Sequence, residues 1–322
     1  MDLSILIVTY NSAPLIGRLL SHLAREIEGL AAQVIVLDNA SRDGTAELVR
    51  REHPWVKLIA SQENLGFAAG NNLAARQASG RYLLLLNPDA FPNPGALEKG
   101  LASLRQQPDV GLAGGELLGA DGSRQPSARM FPRLRDELFT LSGLAARFPT
   151  SRFFARLDRR WANADLDAVV DWIPGAFVFI PADVFARLDG FDERFFMYYE
   201  EVDLCRRIQQ LGLTIRYWPA LKAMHIGGES VKTIKSARVS RAGSQLESWR
   251  MRSGLLYYRK HHGATGAAGL HWLEWSWHKL RQIKARLSRR ADKAAESALH
   301  CEQLTQAWRD TGHGSASPGR PW

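Results

Sequence analysis

Short apolar runs alternate along the first third of the chain with longer segments in which apolar residues return every three or four positions. Leu3 to Val8, Val34 to Leu37, Val56 to Ile59 and Tyr82 to Leu86 are compact and apolar enough to read as buried strands. Residues 13 to 28, 42 to 53 and 67 to 79 between them have the helical period. Ser41 stands as an N-cap before a helix from Asp43 to Arg51, and Gly80 closes the third helix just before its strand. This alternation predicts an α/β fold, with a mainly parallel central sheet flanked by helices. Further on, Ala113 to Arg124 reads as a hairpin around Asp121-Gly122, and Pro132 to Val170 is an Arg-rich insertion without a readable pattern. A strand after Trp172-Ile-Pro-Gly-Ala176, an amphipathic helix from Tyr199 to Leu211 and a strand from Thr214 to Trp218 complete the folded core.

Ligands of open α/β sheets bind at the carboxyl ends of the strands, and the polar residues gather there. Thr9, Tyr10 and Asn11 follow the first strand, Asp38 and Asn39 the second, Asn64 the third, and Asn87 to Asp89 the fourth. Asn, Asp and Gly make turns on their own account, but four such loops in a row predict a polar crevice.

Three groups bear candidate chemistry. Asp89, turned out of its strand by Pro88, can hold a cation that neutralises a diphosphate leaving group. Glu200, Glu201 and Asp203 open a helix beside Phe195, Phe196, Tyr198 and Tyr199. Acids in a first turn offset the helix dipole, yet apolar neighbours also raise a carboxylate towards the pKa a general base needs. His225, before Gly227-Gly228, is an imidazole able to join a carboxylate on a divalent ion.

Charge changes the picture at one end. The chain carries 42 Lys and Arg against 33 Asp and Glu, but residues 222 to 322 hold 18 of the former against 7 of the latter. The basic excess therefore belongs to the C-terminal third and points to an anionic partner there. The only cysteines, Cys205 and Cys301, form neither a disulfide framework nor a zinc motif. The chain starts almost at once with a strand and has no apolar stretch of bilayer length, so a cytoplasmic protein with at most peripheral membrane contact is expected. No GxGxxG follows a strand, which argues against a dehydrogenase, and no nucleic-acid recognition module is visible.

Seven stretches, in order, resemble glycosyltransferase family 2, and within it the bacterial rhamnosyltransferase-like branch. They are Val8-Thr-Tyr-Asn-Ser12, Val36-Leu-Asp-Asn-Ala-Ser-Arg-Asp-Gly-Thr45, Asn64-Leu-Gly-Phe-Ala-Ala-Gly-Asn-Asn72, Leu86-Asn-Pro-Asp89, Gly190-Phe-Asp-Glu193, Tyr199-Glu-Glu-Val-Asp-Leu-Cys-Arg-Arg207 and His225-Ile-Gly-Gly-Glu-Ser230. The resemblance spans residues 3 to 262 and implies a GT-A fold and single-displacement, inverting transfer from a nucleotide diphosphate sugar, with Mg²⁺ or Mn²⁺. It places Thr9, Tyr10, Asn11, Asp38 and Asn39 at the nucleoside, and Asn64, Gly66, Phe67, Gly70, Asn71 and Asn87 along the ribose and diphosphate. Asp89 and His225 would hold the metal, and Glu201 would be the base, with Glu200 and Asp203 as alternatives. Trp172, Gly175 and Ala176 resemble an acceptor-side loop, although a core role for Trp172 fits its sequence equally well. Glu201 stands where the family usually has Asp, and Asn87 replaces the first acid of an Asp-x-Asp pair. A catalytically degenerate sugar-nucleotide-binding or membrane scaffold protein is the competing reading. The branch implies L-rhamnose from dTDP-L-rhamnose as donor, and a glycan or polyprenyl-linked glycan as acceptor in cell-surface polysaccharide synthesis.

The organisation expected is a catalytic domain over 1–235, with a nucleotide-binding part to about 112 and an acceptor-binding part from 113, then a basic helical extension over 236–310 and a disordered tail over 311–322. In the extension, Leu270, Leu273, Trp277, Leu280 and Leu287 recur at helical spacing among Lys279, Arg281, Lys284, Arg286, Arg289 and Arg290. Residues 270–290 are thus expected to lie on the inner face of an anionic membrane, unless they pack on the protein itself or in a homodimer.

Overall fold

The computed structural model describes residues 1–226 and 241–319. Its first part follows the apolar runs closely: β1 (Leu3–Thr9), α1 (Ala13–Glu26), β2 (Ala32–Asp38), α2 (Thr45–Glu52), β3 (Lys57–Ala60), α3 (Gly66–Ala75) and β4 (Tyr82–Leu86). β5 (Ala90–Pro92), α4 (Ala96–Gln106), β6 (Val110–Leu118) and β7 (Arg124–Gln125) follow, with β6 and β7 forming the expected hairpin. The insertion folds as α5 (Leu134–Leu141), α6 (Leu144–Arg147) and β8 (Ala168–Val169). The chain returns through β9 (Phe177–Pro181), α7 (Ala182–Arg187), α8 (Glu200–Gln210) and β10 (Thr214–His225), and ends in α9 (Arg241–Leu287) and α10 (Ala291–Asp310).

Among the described residues one sheet runs β3-β2-β1-β4-β9-β6-β10-β5, with β7 on β6 and β8 on β10. The four strands read from the sequence are parallel to one another. Beyond β4 the sheet is mixed, because β9 enters antiparallel to both β4 and β6. Alternating side chains of β1 serve both faces: Ile5 and Ile7 join the core under α1 and α4, and Leu6 joins the core under α3 and α8.

Two local expectations change. Ser41 does not cap α2; Gly44, at φ 84°, precedes the helix, and Asp43 accepts the Thr45 backbone N–H. Ser41 instead accepts the N–H of Asn11 at 2.8 Å, a tie between the loops after β1 and β2. The tail expected to be disordered is ordered as far as Gly319: Thr311 is fully buried, and the Ser317 hydroxyl donates to the carbonyl of Arg194. Contacts with the body outweigh the loop-like composition there.

α9 bends at Gly263, whose φ of 71° and ψ of −171° interrupt the helix. Before the bend, Trp249, Met251, Leu255, Leu256, Tyr257 and Tyr258 are buried against the catalytic body. After it, the helix runs alongside α10.

Candidate active site

The loops at the ends of β1 and β2 and the start of α3 are tied together and form one rim of the candidate site. Thr9 donates its hydroxyl to Asp38 Oδ1 at 3.1 Å, and the Ser41 N–H donates to Asp38 Oδ2 at 3.0 Å, so both oxygens of this buried carboxylate join neighbouring loops. Asn39 donates from Nδ2 to the Gly66 carbonyl and accepts the Leu65 N–H, while Asn64 accepts the Gly66 N–H. Tyr10 is exposed at the mouth, and Asn11 takes a left-handed φ of 49°.

Gly66 joins this rim to the acidic one. Its φ is +81°, and a Cβ there would lie 2.3 Å from the Phe196 carbonyl, the oxygen that accepts the Phe67 N–H. Gly70 and Asn71 do not reach an open surface. Gly70 lets α3 press onto Val8 and Leu37, and the buried Asn71 donates to the Phe67 carbonyl one turn back. Phe67 packs edge-on against Phe191 and faces Gly175. Gly70 and Asn71 thus shape the helix seat, while Phe67 stays half-buried beside Gly175.

At the end of β4, Asp89 Oδ1 lies 3.4 Å from His225 Nε2, and Asn87 Nδ2 lies 3.4 Å from the same nitrogen. Gln125 settles the imidazole's role. Its amide N–H donates to the His225 backbone carbonyl at 2.8 Å, leaving its Oε1 to accept from His225 Nδ1, also at 2.8 Å. This pairing keeps a proton on Nδ1 and turns Nε2 towards Asp89, the orientation a metal-binding histidine requires. Asp89 and His225 thus fit a divalent ion, whose remaining positions a donor's phosphate oxygens would fill. Gln125 had no signal in the sequence; only its pairing at the hairpin end brings it to a residue 100 positions away. Gly227 to Ser230 of the His225 motif lie outside the described residues.

The other rim is the start of α8. Tyr198 and Tyr199 take successive left-handed φ values of 69° and 67°. For non-glycine residues this costs on the order of 1–3 kcal/mol each. Packing of Tyr199 on Tyr257, Phe196 on Trp249 and a hydrogen bond from Ser253 to the Met197 carbonyl hold the turn in place. It delivers Glu200 and Glu201 side by side. Each has an Oε2 atom with no hydrogen-bond partner among the described residues. Burial, then repulsion from Glu201, pushes Glu200 well above the usual carboxylate range. Burial also raises Glu201, against the pull of backbone N–H groups and the Arg129 guanidinium. Glu201 lies beside Gly175, with 3.8 Å between its Cβ and the position a Gly175 Cβ would take. The neighbouring Ala176 carbonyl accepts the Asn87 N–H, so the loop 174–176 separates the Asp89 turn from the glutamates.

Asp203 cannot be the base. It is fully buried, its Oδ1 is 2.7 Å from both Lys260 Nζ and His261 Nε2, and its Oδ2 is 2.7 Å from Arg207 Nε. Although burial opposes it, this company holds Asp203 below its usual pKa. It fastens α8 to α9. Trp172 proves to be a core residue: its indole N–H donates to the Met130 carbonyl, and the Arg129 guanidinium covers its ring at 4.6 Å, so that face cannot receive a sugar. Asn72, not singled out from the sequence, grips the 190–193 turn through both the N–H and the carbonyl of Phe191.

Residues 4–156 match the model of glycosyl transferase family 2. An N-acetylglucosaminyl-diphospho-decaprenol L-rhamnosyltransferase of Mycobacterium tuberculosis is 29% identical over 236 residues, 69% of this chain and 75% of that one. The rhamnosyltransferase WbbL of Escherichia coli is 29% identical over 234 residues, 69% of this chain and 82% of that one. In fold, the chain is similar to a mannosyltransferase of Pyrobaculum calidifontis solved with GDP-Man and Mn²⁺, with a TM-score of 0.57 at 18% identity over 98% of this chain and 88% of that one. The motifs and these relatives mark the chain as similar to rhamnosyltransferases of glycosyl transferase family 2, and its sheet has the GT-A fold.

Proposed function

We propose that this glycosyltransferase moves a sugar, with inversion, from a nucleotide diphosphate donor to a hydroxyl of a polyprenyl-linked glycan in cell-surface polysaccharide synthesis, with dTDP-L-rhamnose as donor. The observation that carries the reading is the pair of glutamates with unpartnered oxygens across the 174–176 loop from the Asp89 turn. The names of the mycobacterial and Escherichia coli relatives support the sugar and the lipid-linked acceptor. The division near residues 112 and 235 is retained as part of this proposal.

In this reading the donor's nucleoside lies along Thr9, Tyr10, Asn11 and the β2 end, with Asn64 and Asn87 facing the diphosphate. Asp89 and His225 would hold a divalent cation, which stabilises the charge of the departing diphosphate when bound. Glu201 takes the proton of the acceptor hydroxyl as its oxygen attacks the anomeric carbon, and the bond from that carbon to the diphosphate oxygen breaks from the opposite face. Burial and its neighbour raise Glu200 well above the usual carboxylate range, and this reading assigns the negative charge of the pair to Glu201. An acceptor with a polyprenyl tail lies in the bilayer, so the enzyme works as a peripheral protein on the inner face of the cell membrane. No described helix is long and apolar enough to cross that membrane.

Turnover of a panel of nucleotide sugars by the purified protein, with Mg²⁺, Mn²⁺ or EDTA, tests this. Metal-dependent use of dTDP-L-rhamnose, lost in Asp89→Ala, is expected. Preference for another donor overturns the sugar assignment, and nucleotide binding without turnover on lipid-linked acceptors overturns the enzymatic reading.

A further inference from the structure

Beyond Gly263 the buried side of α9 mixes polar and apolar residues: His271, Glu274, His278 and Gln282 are buried beside Ala267, Leu270 and Ala285, with His271 stacked on Trp308 and His278 on His300. The opposite side shows solvent Trp272 (55% exposed), Leu280 (64%), Ile283 (48%) and Leu287 (82%). Their spacing of 8, 3 and 4 residues keeps them on one face of the helix. Scattered exposed leucines are ordinary, but a helix that buries these polar residues and exposes an apolar ridge calls for a cover.

The flanks indicate which cover. Lys279, Lys284 and Arg286 are exposed beside the apolar ridge, and Arg281, Arg289 and Arg290 add to the charge. The one acid between 270 and 290, Glu274, faces inward. A two-fold contact between copies would bring the same patch against itself and oppose six cations to six. A bilayer with anionic headgroups instead accepts the apolar ridge among its acyl chains and the cations at its surface, with Trp272 at the headgroup level. We propose that the exposed face of residues 272–287, made by Trp272, Leu280, Ile283 and Leu287 and edged by Lys279, Lys284 and Arg286, docks the protein on an anionic membrane surface. The stripe expected from sequence was different in part: Leu270 is buried against the body, Leu273 and Trp277 are half-buried, and Trp272 and Ile283 join Leu280 and Leu287 on the free face. The proposal rests on the lipid-linked acceptor for its purpose, and on the exposed face for its evidence.

Sedimentation of the full-length protein with vesicles of phosphatidylglycerol and phosphatidylethanolamine, against vesicles of phosphatidylcholine, tests it. Binding to the anionic vesicles that weakens as salt rises is expected. At least about tenfold weaker binding is expected for L280S/I283S/L287S and for K279E/K284E/R286E. These side chains are exposed, and unchanged turnover with a water-soluble acceptor verifies that both variants stay folded. Equal binding to both kinds of vesicle, or undiminished binding of the apolar variant, overturns the proposal. So does a lipid-free dimer, seen by analytical ultracentrifugation, that L280S/I283S/L287S dissociates, because a second copy would then be the cover. Loss of turnover in a protein that still binds vesicles would count against the proposed reaction, not against this surface.

Discussion

On the donor rim, Thr9 holds Asp38, Asn39 holds Leu65 and Gly66, and Ser41 holds Asn11, all through hydrogen bonds between residues 26 to 30 positions apart. On the acid rim, the turn before Glu200 and Glu201 and the anchor at Asp203 depend on Ser253, Lys260 and His261, with hydrogen bonds reaching 56 and 58 positions along the chain. One rim is assembled by adjacent βα units, and the other only once the C-terminal helix has docked. Donor binding and proton transfer should therefore be separable by mutation, and each substitution below breaks or sharpens that separation.

Glu201→Gln removes a proton acceptor while keeping the side chain's size. It should lower kcat by about 10²–10⁴-fold, with nucleotide affinity unchanged by calorimetry; equal loss in both would mean that the rims are coupled. Asp203→Ala leaves Arg207, Lys260 and His261 without their shared carboxylate. Urea unfolding should show a loss of about 3 kcal/mol, with residual activity limited by kcat rather than by donor binding.

The packing of α5 near α9 should also respond to pH. Glu137 on α5 is pushed up to about 7 by burial and then by the charge of Glu274 on α9. Its folded pKa lies above its ordinary value of 4.5, so its contribution to stability is complete below about pH 4.5 and is lost as pH rises through about 7. The loss amounts to as much as about 3 kcal/mol, and Glu137→Gln should abolish that part of the pH dependence in thermal unfolding. The smallest effect expected is on the donor rim. Gln125→Leu frees the His225 tautomer and should raise the Mn²⁺ concentration needed for nucleotide binding by about tenfold, with no change in the pH profile of kcat.

The parts of the molecule legible in the sequence are those with local causes. β1, β2, β4 and the helices between them appear as apolar period and turn residues, and the polar strand ends followed directly. Asp89, Glu201 and His225 stood out as candidates because a strand end, a helix start and a motif order mark them. Gln125, Asn72 and Lys260 were not, because each acts on a partner roughly 60 to 120 residues away that no local pattern names. Packing also explains the misreadings. Trp172 has the composition of a sugar platform until Arg129 covers it, and Asp203 that of a base until Arg207, Lys260 and His261 close on it.

By itself, then, the sequence determined the α/β class, the resemblance to a family and the chemical types that gather at the strand ends. These follow from backbone geometry and side-chain polarity, which act over a few residues. Only the tertiary structure decided which carboxylates keep an unpartnered oxygen, how the His225 ring is turned and which face of α9 meets solvent. Burial, charge and hydrogen bonding at those points come from groups brought together when distant segments pack.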